Sequence, residues 1–333
     1  MMAWDAGRKA PVPASVLEEP IRLGISACLL GHSVRYDGGH RLDRYLADTL
    51  GRFVTWVPVC PEKECGLGVP REAMRLVDSG DRIRLITRRT GIDHTGRMLD
   101  WAEAKLGELE KEDLSGFVFK SRSPSSGMSN VKVYDSQGTL SGKKGVGLFA
   151  CAFMKRFPLV PVEDDGRMND PALRENFITR VFVFHRWKEF IRRKPSPEGL
   201  VSFHTGHKLL VMAHSPKHLT ALGRLAAEAG PILVPEKLGQ YLAVLMEALR
   251  LQATVKKNFN VLHHIVGYFK KFLTADEKKE LLGIVEDYHA GLVPLVSPLT
   301  LLNHHVRKHG IDYLKGQHFL HPHPKELMLT NHV

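Results

Sequence analysis

The sequence predicts an N-terminal α/β domain of three-layer type with a mainly parallel sheet, followed by an all-α helical domain. Three observations predict it. Short apolar runs alternate with segments of helical period as far as residue 157, the pattern of strand–helix–strand units. Beyond Phe177 nearly every segment has helical spacing. Between the two regimes the composition turns at Pro158-Leu-Val-Pro161. The chain, at 333 residues, also exceeds what one core normally serves, ~250–300 residues. The expected division is an arm over residues 1–20, the α/β domain over 21–160 and the helical domain over 161–333.

Residues 21–27 (IRLGISA) are short, apolar and flanked by charge, and read as a first buried strand ending at Cys28. A polar turn through Asp37-Gly38-Gly39 leads to residues 40–50, where Leu42, Tyr45, Leu46 and Leu50 have helical spacing. Residues 53–59 read as a second strand closed by Cys60-Pro61, and 83–87 as a third. Residues 100–111 combine helical period with good helix formers. Residues 117–120 form another strand running into the Ser-, Pro- and Gly-rich segment 121–127. A short β-like run, 131–134, precedes a helix over 145–157. In the second half, helices are expected over 176–192, 200–214, 238–257, 261–273, 276–290 and 298–309. Thr274 before Asp276 marks one helix start. The three segments richest in chemistry each follow a predicted strand, the end at which open α/β sheets place ligands.

The hydrophobic fraction is 43%, enough for real cores, and no apolar run approaches the roughly 18–20 residues of a membrane span. Residues 1–20 hold Arg8, Lys9, then Pro11, Pro13 and acidic Glu18 and Glu19 without an apolar stretch, so neither a signal peptide nor an anchor is expected. A cytoplasmic protein with no membrane partner follows as the expectation. Its four cysteines are then thiols or metal ligands before they are disulfides. The net charge of +11 calls for an anionic partner, nucleic acid being the commonest, or describes a merely basic enzyme. The halves share that charge.

Cys151 lies in an apolar helical run, Leu148-Phe-Ala-Cys-Ala-Phe-Met154, and reads as a small core residue. Cys28, Cys60 and Cys65 instead follow strands at polar turns. With no Cys-x-x-Cys pair and no matching histidine pair they fit a zinc finger poorly. An iron–sulfur cluster on scattered thiolates suits them better.

Ser26-Ala-Cys-Leu-Leu-Gly31, Val34-Arg-Tyr-Asp-Gly-Gly39, Val59-Cys-Pro-Glu62 with Gly66-Leu-Gly-Val-Pro-Arg71, and Ser121-Arg-Ser-Pro-Ser-Ser-Gly127 together resemble the TudS-like thiouracil desulfurases over roughly residues 20–157. Phe203-His-Thr-Gly-His-Lys-Leu-Leu210, His214-Ser-Pro216 and Asn260-Val-Leu-His-His-Ile-Val-Gly-Tyr-Phe-Lys270 resemble the YbgA-like helical domain. The pair is similar to the fused RudS-type enzymes that desulfurate 4-thiouridine in tRNA. The resemblance implies a 4Fe-4S cluster with one iron lacking a protein ligand, a catalytic carboxylate at Glu62 and a catalytic serine at Ser123. It also places Arg35, Tyr36, Asp37, Arg122 and Ser125 around the substrate. One departure stands out: the family's third cluster cysteine, in Ser-Pro-Ser-Cys-Gly, falls on Ser126. Serine is a poor iron ligand. Cys65 is the expected replacement beside Cys28 and Cys60, with Cys151 or a lost cluster as alternatives.

In the helical half, His204 and His207 stand three apart, but no nearby carboxylate or thiol completes a zinc set. His204, Lys208, Lys256, Lys257, Lys270 and Lys271 are the expected phosphate contacts for tRNA, against the plainer reading of solvated helix faces. Three functions remain open on the sequence: desulfuration of 4-thiouridine in tRNA, desulfuration of a free thiopyrimidine base, and a non-catalytic RNA-binding or redox-sensing protein.

Overall fold

The computed structural model describes residues 20–332 except 81, 194, 229, 231 and 232; of the arm expected over residues 1–20, all but the last residue lies outside the described residues. The first sheet contains β1 (Ile21–Ser26), β2 (Val54–Val59), β5 (Gly116–Phe119) and β8 (Val162–Asp164) in the order β2-β1-β5-β8. Every pairing in it is parallel. The second sheet contains β3 (Met74–Asp78), β4 (Ile83–Thr87), β6 (Val131–Tyr134) and β7 (Leu140–Gly145) in the order β4-β3-β6-β7, with antiparallel pairs at both edges. β8 carries the first sheet past the Pro158–Pro161 turn that the sequence marks as a boundary.

Alternation along the buried strands gives the first sheet two apolar faces. Ile21, Leu23, Ile25 and Val118 face one side, where they meet Leu46, Leu50 and the first turns of helix α4 (Pro171–Arg192) through Phe177, Ile178, Val181 and Phe182. Phe117 and Phe119 face the other, with α2 (Thr95–Lys111) supplying Ala102, Leu106 and Leu109 and α3 (Leu148–Arg156) supplying Phe149, Ala150 and Phe153. The rings of Phe117 and Phe119 stack at 4.3 Å between centroids. Burying each such ring contributes about 1.5–3 kcal/mol. Gly24 makes this possible, because a Cβ there would lie 2.1 Å from the Phe117 ring. A one-turn helix, α1 (Pro61–Glu64), follows β2.

The expected three layers are present, and α4 forms one of them. Its second half, through Val183, Phe184 and Trp187, enters the core of the helical domain, so one 22-residue helix serves both cores. That domain continues with α5 (Pro197–His214), α6 (Pro216–Ala227), α7 (Pro235–Arg250), α8 (Val255–Gly267), α9 (Ala275–His289), α10 (Val296–His309) and the single turn α11 (Asp312–Lys315). Ser196, Ser215, Thr254 and Thr274 cap α5, α6, α8 and α9, each side chain accepting from a backbone N–H of the first turn.

The structure corrects several boundaries. The helices expected over 238–257 and 261–273 run instead over Pro235–Arg250 and Val255–Gly267, because Thr254 caps a new helix and Leu251 has extended backbone. The helix expected over 40–50 is a π turn, Tyr45–Thr49, followed by a 3₁₀ turn, Leu50–Arg52. β3 and β7 were not expected; β7 reads LSGKKG and presents mostly exposed side chains, so no apolar pattern marks it. Among the described residues no helix is long and apolar enough to cross a membrane.

Candidate functional site

The carboxyl ends of β1, β2 and β5 lie side by side, and the residues that follow them wall a cleft of about 410 Å³. β1 ends in the 3₁₀ turn Ala27–Leu30, which carries Cys28; β2 ends at Cys60, which caps α1 and so sets Glu62 in its single turn. β5 delivers Lys120 and the serine loop Ser121–Ser126. Adjacent parallel strands thus gather residues almost a hundred positions apart, the reason ligands collect at this edge of such sheets.

The serine loop is held by the start of α3. The backbone N–H of Leu148 donates to Pro124 O, and those of Phe149 and Ala150 donate to Ser125 O, at 3.0–3.2 Å. Gly147 permits this approach, since a Cβ there would lie 2.5 Å from the Ser125 carbonyl carbon. Within the loop, Ser123 Oγ accepts from the amides of Ser125 and Ser126 at 3.3 and 3.1 Å and lies 3.0 Å from Ser125 Oγ. Ser125 Oγ in turn donates to Glu62 Oε1 at 2.9 Å. Arg71 takes the other carboxylate oxygen, with Nε 2.9 Å and Nη2 2.5 Å from Oε2. The same guanidinium donates to Val34 O and Gly68 O. Glu62 is therefore fixed from two sides by groups on separate segments.

Cys28 is buried and Cys60 half-buried, and both thiols face the cleft near one another. Burial pushes the Cys28 thiol up to about 11, with Lys120 and Arg35 partly opposing it. Burial raises Cys60 as well, against the pull of the Lys63 amide and Arg71. Neither is set up as a free thiolate nucleophile at neutral pH. A metal would displace both protons.

Cys65 is not part of the cleft wall. It ends α1 with Sγ 3.4 Å from Glu62 O, and its side chain packs with Met74, Leu76, Leu85 and Met98 beneath the second sheet. Cys65, expected as a third thiolate, thus lies at the end of α1 next to Glu62, outside the residues that line the cleft. The residue beside Cys28 and Cys60 at the cleft is Ser126, buried at the position the desulfurase motif reserves for cysteine. Among the described residues the cleft wall offers two thiols, Cys28 and Cys60, together with Ser126. Cys151 is corrected too. It is exposed, because Phe149, Ala150 and Phe153 form the buried face of α3.

Arg35, Tyr36 and Arg122 line the cleft as expected, with the Arg35 guanidinium 5.4 Å from the Tyr36 ring centre. Asp37 does not. It turns into its own loop, accepting from Gly39 N at 3.1 Å and from Arg35 Nε at 3.3 Å. Arg41, Arg88 and Lys120 also line the cleft and were missed. Lys120 pairs with Asp165 at 2.8 Å, whereas Arg41, Arg88 and Arg122 have no carboxylate partner among the described residues. Lys120 could have been noticed beside Ser121; Arg41 and Arg88 carry no local signal.

The expected phosphate contacts of the helical domain are divided. His204 faces inward, with Nδ1 3.0 Å from Tyr241 Oη, and burial lowers its pKa. Lys257 is engaged by its own domain, donating to His214 O at 2.7 Å and Gln252 O at 3.1 Å. Lys208, Lys256, Lys270 and Lys271 are exposed.

Two thiols, a clamped carboxylate and a serine loop thus meet at the strand ends of a parallel α/β sheet. Residues 23–165 match the family model described as 2-thiouracil desulfurase, and residues 208–324 match a protein family of unknown function, DUF1722. The first region is thus similar to a 2-thiouracil desulfurase domain and the second to a YbgA-like DUF1722 domain. The uncharacterized protein YbgA of Escherichia coli (strain K12) is 24% identical over 165 residues, spanning 49% of this chain and 98% of YbgA. Among solved structures, the 4Fe-4S-dependent thiouracil desulfidase TudS is 29% identical, with 46% of this chain and 97% of that chain covered and a TM-score of 0.37.

Proposed function

We propose that this protein hydrolyses the thiocarbonyl of 4-thiouridine in tRNA, giving uridine and sulfide with no net oxidation or reduction. One water supplies the new carbonyl oxygen, and its two protons leave with the sulfur. The observation that carries the reading is the pairing of a clamped carboxylate, Glu62, with the two thiols Cys28 and Cys60 on one cleft. Cys28 and Cys60, with the Ser126 oxygen, would hold a 4Fe-4S cluster having an iron without a protein ligand, as the TudS name suggests. Such a cluster supplies a thiophilic Lewis acid for the substrate sulfur.

The chain's own residues do the rest. Glu62 takes a proton from water while Arg71 and Ser125 keep its carboxylate aimed. Ser123 organises the serine loop, accepting from the Ser125 and Ser126 amides and donating to Ser125 Oγ, which in turn donates to Glu62. Arg41, Arg88 and Arg122, without carboxylate partners among the described residues, surround the cleft with positive charge. Their charge favours a base attached to phosphates over a free base, because a neutral thiopyrimidine gains little from three guanidinium groups. The exposed Lys208, Lys256, Lys270 and Lys271 would extend that attraction along the helical domain.

The test uses protein purified and loaded with iron without oxygen. It is incubated with tRNA containing 4-thiouridine and, separately, with free 4-thiouracil, and the digested nucleosides are quantified by mass spectrometry. Conversion of 4-thiouridine to uridine with stoichiometric sulfide supports the proposal. Turnover of the free base alone assigns a small-molecule desulfurase, and turnover of neither sinks the desulfurase reading.

A further inference from the structure

A second cavity, about 520 Å³, opens between the start of α4, the end of α5, the start of α8, the end of α9 and the C-terminal segment. It shares no lining residue with the cysteine cleft and plays no part in the proposed reaction. Its wall is largely apolar and includes Leu210, Ala213, Leu295, Leu299 and Phe319. Into that wall are set a few polar groups, the arrangement typical of a small-molecule site.

Accounting for those groups shows what they lack. Asn258 Nδ2 donates to Tyr288 Oη at 3.1 Å, leaving the Asn258 oxygen as an acceptor and the Tyr288 proton as a donor. His214 Nδ1 donates to Leu251 O at 2.6 Å, and burial pushes its pKa down to about 4, so Nε2 is an unprotonated acceptor at neutral pH. Glu175 has one ionisable partner among the described residues, His332, whose Nε2 lies 3.4 Å from Oε2. His332 Nδ1 is committed to Leu329 O at 2.8 Å. No lysine or arginine ion pair reaches Glu175 among the described residues, and burial raises its carboxyl to about 7. Asn258, His214 and Glu175 therefore bring acceptors, and Tyr288 a donor, to a cavity that Asn176, Thr179, Gln252, Thr254 and Thr330 also line.

We propose that this cavity binds a small planar organic cation, an amine- or amidine-bearing heterocycle, with its N–H edge against Glu175 and its ring against the apolar wall. Burial makes the Glu175 carboxylate costly there, with no lysine or arginine paired with it among the described residues. A cationic N–H edge removes that cost, and a carboxylate accepts two parallel N–H bonds from an amidine readily. An anion of the same shape meets the Glu175 carboxylate and is disfavoured.

Benzamidine is the probe and benzoate its isosteric anion, titrated into the full chain at pH 7 by isothermal calorimetry. The expected result is saturable binding of benzamidine, at least about tenfold weaker in Glu175→Gln, with benzoate about tenfold weaker or silent. Wild-type protein carries an independent check that needs no variant. Charging the Glu175 carboxyl on binding releases a fraction of a proton at pH 7, seen as a binding enthalpy that depends on the buffer's ionisation enthalpy. His332, Tyr288, His214 and His289 are the other titratable groups on the cavity. Tyr288→Phe, which keeps the ring and loses one donor, should bind benzamidine within a few-fold of wild type. No benzamidine binding, equal binding of benzoate, or binding unchanged in Glu175→Gln without proton release would each overturn the proposal.

Discussion

Arg71 holds Glu62 by two nitrogens on one oxygen, Nε at 2.9 Å and Nη2 at 2.5 Å from Oε2, while Ser125 occupies Oε1. The carboxylate cannot rotate without breaking a charged contact. Its orientation is also tied to Val34, which precedes the cleft residues Arg35 and Tyr36, because Arg71 donates to that carbonyl. A lysine at position 71 would bring a single point charge where a planar fork is used. Arg71→Lys should therefore lower kcat about tenfold or more with a smaller effect on KM, and Glu62→Gln should lower kcat by ~10²–10⁴. Both should retain bound iron. Steady-state turnover of thiolated tRNA alongside iron content is the measurement, and unchanged kcat in Arg71→Lys reduces that residue to a tether.

The cleft geometry sorts the four cysteines. Cys28→Ala and Cys60→Ala should each abolish iron binding, since each removes one of two thiols at the site. Cys65→Ala should keep its iron and lose about 1 kcal/mol of stability from a small packing defect under the second sheet. Cys151→Ala should change neither. Ser126→Cys should raise iron retention in air, because a thiolate replaces an oxygen donor. Iron and inorganic sulfide per chain, assayed after anaerobic purification and again after exposure to air, decide these outcomes. Iron lost from Cys65→Ala and kept in Cys28→Ala would reverse the assignment.

The site was legible where the chemistry lies within a few residues of a strand end. Cys28, Cys60, Glu62 and Ser123 all follow short apolar strands, and the parallel order β2-β1-β5 then brings them together. That Cys65 packs with Met74, Leu76, Leu85 and Met98 could not be read from its spacing to Cys60, because those partners come from other segments of the chain. Arg88 was invisible for a different reason: it follows β4 of the second sheet, and only tertiary packing brings it to the cleft. The helical half was recognisable by period, yet the break between α7 and α8 depends on Thr254 accepting from Lys257 N. A single capping hydroxyl moved two helices in register.

The start of α9 should show its charge in the pH dependence of stability. Lys308 Nζ lies 2.6 Å from Glu277 Oε1, and Thr274 donates from N and Oγ1 to Oε2, closing a capping box. Lys308 first, then Thr274, pull the Glu277 carboxyl down to about 2. A folded value below the ordinary 4.5 means that the stabilisation is complete above about pH 4.5 and fades as the pH falls towards 2. Glu277→Gln should flatten the stability profile across that window and lower the urea midpoint at pH 7. Thr274→Ala should cost about 1 kcal/mol at pH 7 through loss of the cap. An unaltered acid limb in Glu277→Gln means that other carboxylates govern it.

Lys257 and the cleft arginines make opposite predictions about tRNA. The ammonium of Lys257 caps the carboxyl end of α5 through His214 O and also reaches Gln252 O, so it is already bound within the helical domain. Lys257→Met should lower stability by about 1.5–3 kcal/mol, the usual worth of a charged hydrogen bond, and leave tRNA affinity nearly unchanged. Arg41, Arg88 and Arg122 lack carboxylate partners among the described residues, and replacing all three with alanine should weaken tRNA binding and flatten its salt dependence. Each lost phosphate contact removes roughly 0.7–0.9 from the slope of log affinity against log salt. Filter binding of thiolated tRNA over a salt series, with urea denaturation of the same proteins, separates the two effects. The exposed pair Lys270 and Lys271, changed to alanine together, supplies the comparison from the helical domain. A flattened slope in the arginine variant alone places tRNA capture at the cleft. A flattened slope in the lysine pair alone moves it to the YbgA-like domain, and a flattened slope in a stable Lys257→Met protein means that this lysine leaves its carbonyls to bind phosphate.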